Sequence, residues 1–175
     1  IIALVSFPAM TLIAINADWI VNIIFGHKWD DAVPIIEVLA FAGAIQSVSQ
    51  PAGVVFKSIG KPEIGIYLAS IRALLVVVAI VLGALLGNIL TVAYLILVAK
   101  IISLIMVLSI IRYFIPYRLL DLIRSFKGSL INIAVLGLMQ YISVSQFSVP
   151  GWLKFSSTII VALSLTIIFH YNIIL

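Results

Sequence analysis

Apolar runs of about 20 residues follow one another along the chain and are separated by short polar breaks. A helix that crosses a bilayer needs about 20 mostly apolar residues, and its backbone must be hydrogen-bonded internally. Six runs meet this requirement, at about residues 2–24, 32–56, 63–86, 89–111, 128–146 and 152–174. The sequence therefore predicts an all-α, polytopic membrane protein built as a single transmembrane bundle.

The composition excludes a soluble fold. Of the 175 residues, 65% are hydrophobic and 9% are charged, whereas a soluble domain is about half apolar and about a quarter charged. A soluble domain of this size could not bury so much apolar surface. The 10 basic residues are scattered between the apolar runs, which fits membrane topology better than binding to nucleic acid.

The beginning of the chain is not typical of a secretory signal peptide. It starts at Ile1, with no charged segment before the first apolar run and no small-residue cleavage site. We therefore expect the sequence to be a piece of a longer protein that was cut at its start.

The distribution of Lys and Arg predicts the orientation, because cytoplasmic loops carry the excess of these residues. Alternate breaks between the runs divide the loop cations into sets of six and two. The larger set is Lys57, Lys61, Arg112, Arg118, Arg124 and Lys127, and the smaller is Lys28 and Lys154. The loops 57–63 and 112–127 are therefore predicted to be cytoplasmic, and the stretch FGHKWDD (25–31) to be external.

Residues 112–127 are too polar to form a span. Leu119, Leu120, Ile123 and Phe126 recur at helical spacing with basic residues between them. This pattern predicts a short amphipathic helix at the cytoplasmic interface, with its basic groups toward anionic lipid. Simple control of topology is the alternative to any regulatory role for this segment.

Two cations fall inside predicted spans, where charge is costly and usually functional. Arg72 in the third run and Lys100 in the fourth each lie about 15–17 Å from the end of their helix, near the middle of a ~30 Å hydrocarbon core. The two runs are joined by a tight turn and should pack as antiparallel neighbours. The cations are predicted to line a water-filled cavity for an acidic or phosphate-bearing substrate. The alternative is that they pair with carboxylates such as Glu37, or with Asp or Glu in the missing part of the protein.

The second run is the least lipid-like of the six. Glu37 lies near its outer end, and its inner half contains Gln46, Ser47, Gln50 and Pro51. Pro51 cannot donate a hydrogen bond to the carbonyl of Ser47, so the helix should loosen or bend there. Polar, broken helices are tolerated in a membrane only where protein or a cavity covers them. These five residues are predicted to line the pathway, although a polar helix–helix interface would need the same residue types.

No enzyme motif is present. The sequence contains no HExxH, GxSxG or P-loop motif, and its 2 histidines are far apart. We therefore predict a protein that is not an enzyme and that holds no metal or cofactor. Any energy coupling would use ions, the membrane potential or substrate gradients.

The stretch from the external connector to the cytoplasmic loop carries a resemblance to a known family. An FG-x-x-W connector is followed by a span that starts near A-x-P-I, then by polar residues, a proline and a G-K loop. The matching residues are Phe25, Gly26, Trp29, Ala32, Pro34, Ile35, Pro51, Gly60 and Lys61. This order resembles the Wzx-like oligosaccharide flippases, in the polysaccharide-exporter branch of the multidrug, oligosaccharidyl-lipid and polysaccharide exporter superfamily. The resemblance is specific over about residues 20–115.

The resemblance implies a transporter of two helical lobes, of which this chain would form the C-terminal one. It also implies a plasma (inner) membrane location in a bacterium or archaeon, with undecaprenyl-diphosphate-linked oligosaccharide as the substrate. Such a protein would flip a precursor of O-antigen, capsule or a similar polymer by alternating access. Other polysaccharide-assembly proteins would be its possible partners. The family has no invariant catalytic motif, so Arg72 and Lys100 rest on their depth in the membrane.

Rival functions remain at this point. A multidrug or cation antiporter of the same superfamily would favour acidic residues near the midplane, whereas this chain has basic ones there. A membrane-embedded polymerase would carry large external loops, which this chain lacks. A non-transporting assembly protein is disfavoured only weakly, by the cations inside the spans.

Overall fold

The computed structural model describes residues 2–114 and, further along the chain, Ser156, Ile160, Val161 and Ser164. Residues 2–114 form helices joined by short turns, with no strand among them, so the predicted all-α fold is confirmed. The helices are α1 (Ile2–Ile15), α2 (Ala17–Ile24), a 3₁₀ helix (His27–Ala32), α3 (Val33–Ser49), α4 (Ala52–Ser58), α5 (Pro62–Leu85) and α6 (Ile89–Phe114). The predicted spans 128–146 and 152–174, and the interfacial segment 112–127 beyond Phe114, lie outside the continuously described part.

The first apolar run forms two helices where the sequence predicted one. The axes of its two parts meet at 68°, with Asn16 at the break. The Asn16 side chain is buried, and its Nδ2 donates a hydrogen bond to the carbonyl of Leu12 at 2.9 Å. The same carbonyl accepts the backbone N–H of Asn16 at 3.1 Å, and Asn16 itself has non-helical dihedral angles, φ −105° and ψ 17°. Asparagine stabilises such local departures from the helix through contacts between its side chain and the backbone, which gives a physical reason for the break.

The connector between α2 and α3 is a short 3₁₀ helix that begins after Gly26. Gly26 has φ +80° and Gly60, in the turn between α4 and α5, has φ +71°. Residues with a Cβ rarely adopt such positive φ values, so both turns favour glycine. The glycines of the FG-x-x-W and G-K motifs therefore have a structural reason to be there.

The second apolar run is interrupted where the sequence predicted it. Helix α3 ends at Ser49 and α4 begins at Ala52, on either side of Gln50 and Pro51. Pro51 has helical dihedral angles but carries no N–H, so the helical ladder loses one bond there. Residues 27–58 nevertheless form one helical segment long enough to cross a membrane.

Helices α5 and α6 correspond closely to the predicted third and fourth spans, and they form an antiparallel pair. They approach most closely at Gly83, where an added Cβ would lie 2.7 Å from the Cα of Val92. Many of their large apolar side chains are exposed, and Leu85 reaches 78%. Such surfaces suit a lipid environment, because water would make them costly.

Three of the described helical segments are long and apolar enough to cross a membrane, or four if the bent α1–α2 pair is one span. The described chain divides into two compact units between Ala40 and Phe41. In the second unit, α4, α5 and α6 share a core of Ala52, Phe56, Leu68 and Val107. The ring of Phe114 packs against that of Phe56, edge to face, at 6.3 Å. This core fixes α4 against the pair of long helices.

Candidate functional site

A cavity of about 430 Å³ lies within the second compact unit. The end of α3 forms one wall, and one face each of α5 and α6 forms the rest. Its lining residues are Gln46, Ser49, Gln50, Ala69, Arg72, Ala73, Val76, Val77, Lys100 and Ser103. Arg72 and Lys100 thus line one cavity, together with the two glutamines of the second apolar run.

The guanidinium of Arg72 is held by two backbone carbonyls. Its Nε donates to the carbonyl of Leu68, one turn earlier on α5, at 3.3 Å. Its Nη1 donates to the carbonyl of Ser49 at the end of α3, at 3.2 Å. The side chain therefore joins α5 to the last turn of α3.

Lys100 lies on the α6 side of the cavity, one turn before Ser103. The Ser103 side chain is 2% exposed, and its hydroxyl donates to the carbonyl of Ala99 at 2.7 Å. Within the described residues, the ammonium of Lys100 has no hydrogen bond and no carboxylate within 4.0 Å. None of its three N–H donors is therefore used by the described part of the chain.

The side-chain amides of Gln46 and Gln50 line the same cavity. Neither makes a side-chain hydrogen bond to another described residue, and Gln50 is exposed. Each amide offers two donors and one acceptor oxygen. The cavity therefore combines two cations with amides that can bind hydroxyl or carbonyl groups.

The charge balance of this unit is strongly positive. Residues 41–114 contain five basic residues and one acidic residue, Glu63. Glu63 lies in the first turn of α5 and does not line the cavity. In the described part of the chain, the one ion pair within 4.0 Å joins His27 and Asp30. Pairing of Arg72 and Lys100 with a carboxylate therefore finds no support in the residues around this cavity.

Three residues that the sequence predicted to line the pathway do not line this cavity. Ser47 instead donates its hydroxyl to the carbonyl of Ala44 at 2.7 Å. Pro51 lies in the break between α3 and α4 and is the N-cap residue of α4. Glu37 is exposed and belongs to the other compact unit.

None of the family-motif residues is among those that line the cavity. Phe25 and Trp29 are both exposed, with ring centroids 6.0 Å apart. Pro34 lies in the first turn of α3, where its missing N–H costs no helical hydrogen bond. Beyond the turn at Gly60, the ammonium of Lys61 lies 4.5 Å from the centroid of the Phe114 ring. The motif therefore shapes the two ends of the α3–α4 segment and does not contribute to the cavity lining.

Several smaller residues that line the cavity were not predicted from the sequence. Ala69 and Val76 share the face of α5 that carries Arg72, at the spacings i−3 and i+4, and Ala73 follows Arg72 directly. Ser103 follows Lys100 by one turn. Extending the helical period outward from each half-buried cation would have found Ala69, Val76 and Ser103, but not Ala73.

Comparisons with known proteins support the resemblance. A family model described as polysaccharide biosynthesis protein matches residues 1–34. The chain is 26% identical over 161 residues to the teichuronic acid biosynthesis protein TuaB of Bacillus subtilis. The aligned residues are 90% of this chain and 33% of TuaB. It is 25% identical over 83 residues to the lipopolysaccharide biosynthesis protein WzxC of Escherichia coli, covering 47% of this chain and 17% of WzxC.

A third relative is an uncharacterized membrane protein in the cps region of Klebsiella pneumoniae. It is 33% identical over 66 residues, which are 38% of this chain and 14% of that protein. The chain thus spans a third or less of the length of these curated relatives. No solved structure matches it significantly. The apolar helices and the relatives together identify a multi-pass membrane protein with similarity to polysaccharide biosynthesis proteins.

Proposed function

We propose that this chain is part of a transporter that moves a lipid-linked oligosaccharide across the plasma membrane for cell-surface polysaccharide synthesis. The observation that carries the proposal is the cavity with Arg72 and Lys100, placed on helices that can cross a membrane. The similarity to proteins named for teichuronic acid and lipopolysaccharide biosynthesis supports the pathway.

The chemistry of the cavity fits an anionic headgroup with sugars attached. Two cations attract a diphosphate or an acidic sugar, and the free amides of Gln46 and Gln50 can bind sugar hydroxyls. Undecaprenyl diphosphate is the carrier that fits, because its lipid tail can stay in the bilayer while the headgroup enters the cavity. A transporter of this kind performs no covalent step, so the residues of the cavity act in binding the substrate or in positioning the groups that bind it.

The export test uses the full-length protein in a strain that lacks related flippases. The double variant Arg72→Ala/Lys100→Ala should insert normally but reduce surface polysaccharide at least about tenfold, since a charge-assisted hydrogen bond contributes roughly 1.5–3 kcal/mol. Lys57→Ala removes a cation outside the cavity and is the matched control. Full polymer display by the double variant at normal protein level would refute the site. Drug efflux without polysaccharide export would support the antiporter instead.

The orientation belongs to the same proposal, with the loops 57–63 and 112–127 in the cytoplasm and the His27 connector outside. In intact cells, a cysteine introduced as His27→Cys should react with an impermeant thiol reagent, whereas Ser58→Cys should react only after permeabilisation. Both positions are exposed and can therefore be compared directly. Labelling of Ser58→Cys from outside would reverse the assignment.

A further inference from the structure

We infer that the two cavity cations have different roles: Lys100 contacts the anionic group of the substrate, and Arg72 is a positioning residue that caps the interrupted helix α3. The sequence alone treats the two as equivalent midplane charges. The inference rests on the proposed function for its Lys100 part, whereas the Arg72 part depends only on the fold.

The helix break creates the need for a cap. A helix leaves its last four carbonyls without helical partners, and its C-terminus carries a partial negative charge. Pro51 has no N–H to offer to the carbonyl of Ser47, so the ladder cannot simply continue from α3 into α4. A cation that donates to a carbonyl at this end gives that carbonyl a partner and offsets part of the negative charge of the helix terminus.

Arg72 meets that need with the contacts seen here. Its Nη1 donates to the carbonyl of Ser49, which is 23 residues away in the sequence, while its Nε is fixed on the carbonyl of Leu68. Ser49 itself is buried, and its hydroxyl donates to the carbonyl of Gln46 at 3.0 Å. The partial negative charge of the α3 terminus therefore offsets much of the guanidinium charge that the cavity would otherwise present.

Lys100 has the opposite arrangement. Within the described residues its ammonium is bound by no carbonyl and no carboxylate, and it lines the cavity from α6. An ammonium is a compact point charge with three rotatable donors, which suits a phosphate that enters and leaves. Most of the uncompensated positive charge in the cavity therefore lies on Lys100.

The cap also determines where the glutamines lie. Gln46 and Gln50 flank Ser49 in the same turn and line the cavity. Because Arg72 holds that turn against α5, it acts on the substrate through the glutamines. Loss of Arg72 should free the turn, whereas loss of Lys100 should leave it unchanged.

The test has two measurements on the full-length protein in detergent micelles. The first is amide hydrogen exchange over residues 50–55 without ligand. Arg72→Gln should speed this exchange roughly tenfold or more, which is the effect of losing a charge-assisted hydrogen bond, and Lys100→Gln should not change it. Unchanged exchange in Arg72→Gln would overturn the capping role, whatever the substrate is.

The second measurement is the affinity for undecaprenyl diphosphate. Lys100→Gln should weaken binding at least about tenfold, and Lys100→Arg should restore most of it. Gln50→Ala should weaken binding of the wild type but add little in the Arg72→Gln background, which a purely structural role of Arg72 would not predict. Wild-type affinity in Lys100→Gln would overturn the assignment of Lys100. Absence of binding to the wild type would refute the proposed function and leave the cap to be judged by exchange.

Discussion

Lys100→Glu in the full-length protein should abolish surface polysaccharide, with normal insertion into the membrane. Two unit charges 4 Å apart interact by about 4 kcal/mol at an effective dielectric constant of about 20. The variant loses this attraction and adds a repulsion of similar size, so binding of a phosphate group should fall more than about a thousandfold. The ammonium has no carboxylate partner among the described residues, so the substitution breaks no ion pair there.

The measurement is polymer display at matched protein level, and Lys100→Arg is the control that keeps the charge. Export at the wild-type level by Lys100→Glu would mean that the anionic group never enters this cavity.

Gly83→Ala is expected to destabilise the protein by about 1–3 kcal/mol, the usual cost of overpacking. The added Cβ would lie 2.6 Å from Val92 Cγ2 and 2.7 Å from Val92 Cα. Since the second contact is with the backbone, rotation of the valine side chain cannot relieve it, and α5 and α6 must move apart. Thermal unfolding in detergent should show a lower midpoint.

Gly53→Ala is the matched control for this prediction. Gly53 also lies within a helix, but a Cβ added there would meet nothing within 4 Å. It should be neutral or slightly stabilising, because alanine favours the helix. Equal midpoints for the two variants would show that α5 and α6 do not pack closely at Gly83.

The sequence predicted the long helices and the break at Pro51 because both depend on local chemistry. The apolar runs of α5 and α6 are bounded by turns, and proline lacks an N–H wherever it occurs. The bend at Asn16 was missed, since an asparagine in an apolar run signals no break unless its side chain turns back on the helix. That contact, from Asn16 to the carbonyl of Leu12, depends on the side-chain conformation in the folded protein, which the sequence pattern does not specify.

The candidate site was predictable only in part. The depth of Arg72 and Lys100 along their helices predicted that they lie at the same level, because α5 and α6 are antiparallel neighbours. The carbonyl of Ser49 as partner of Arg72 could not be predicted, since it depends on how the end of α3 packs against α5. Ser47 and Pro51 do not line the cavity. They were predicted to do so from residue type, which does not specify which side of a helix faces a cavity.

The bend at Asn16, between α1 and α2, should make this part of the protein sensitive to the thickness of the bilayer in which it is studied. With 68° between its arms, at least one of α1 and α2 must be inclined to the bilayer normal by half that angle or more. Spanning helices are inclined by about 20° on average, so one arm is unusually oblique. A straight helix that is too long for a thin bilayer tilts further or thickens the bilayer around it, whereas a bent pair of helices can also change its bend angle. When the protein is reconstituted in lipids of graded chain length, the tilt of α1 and α2 should therefore change more than the tilt of α5 or α6.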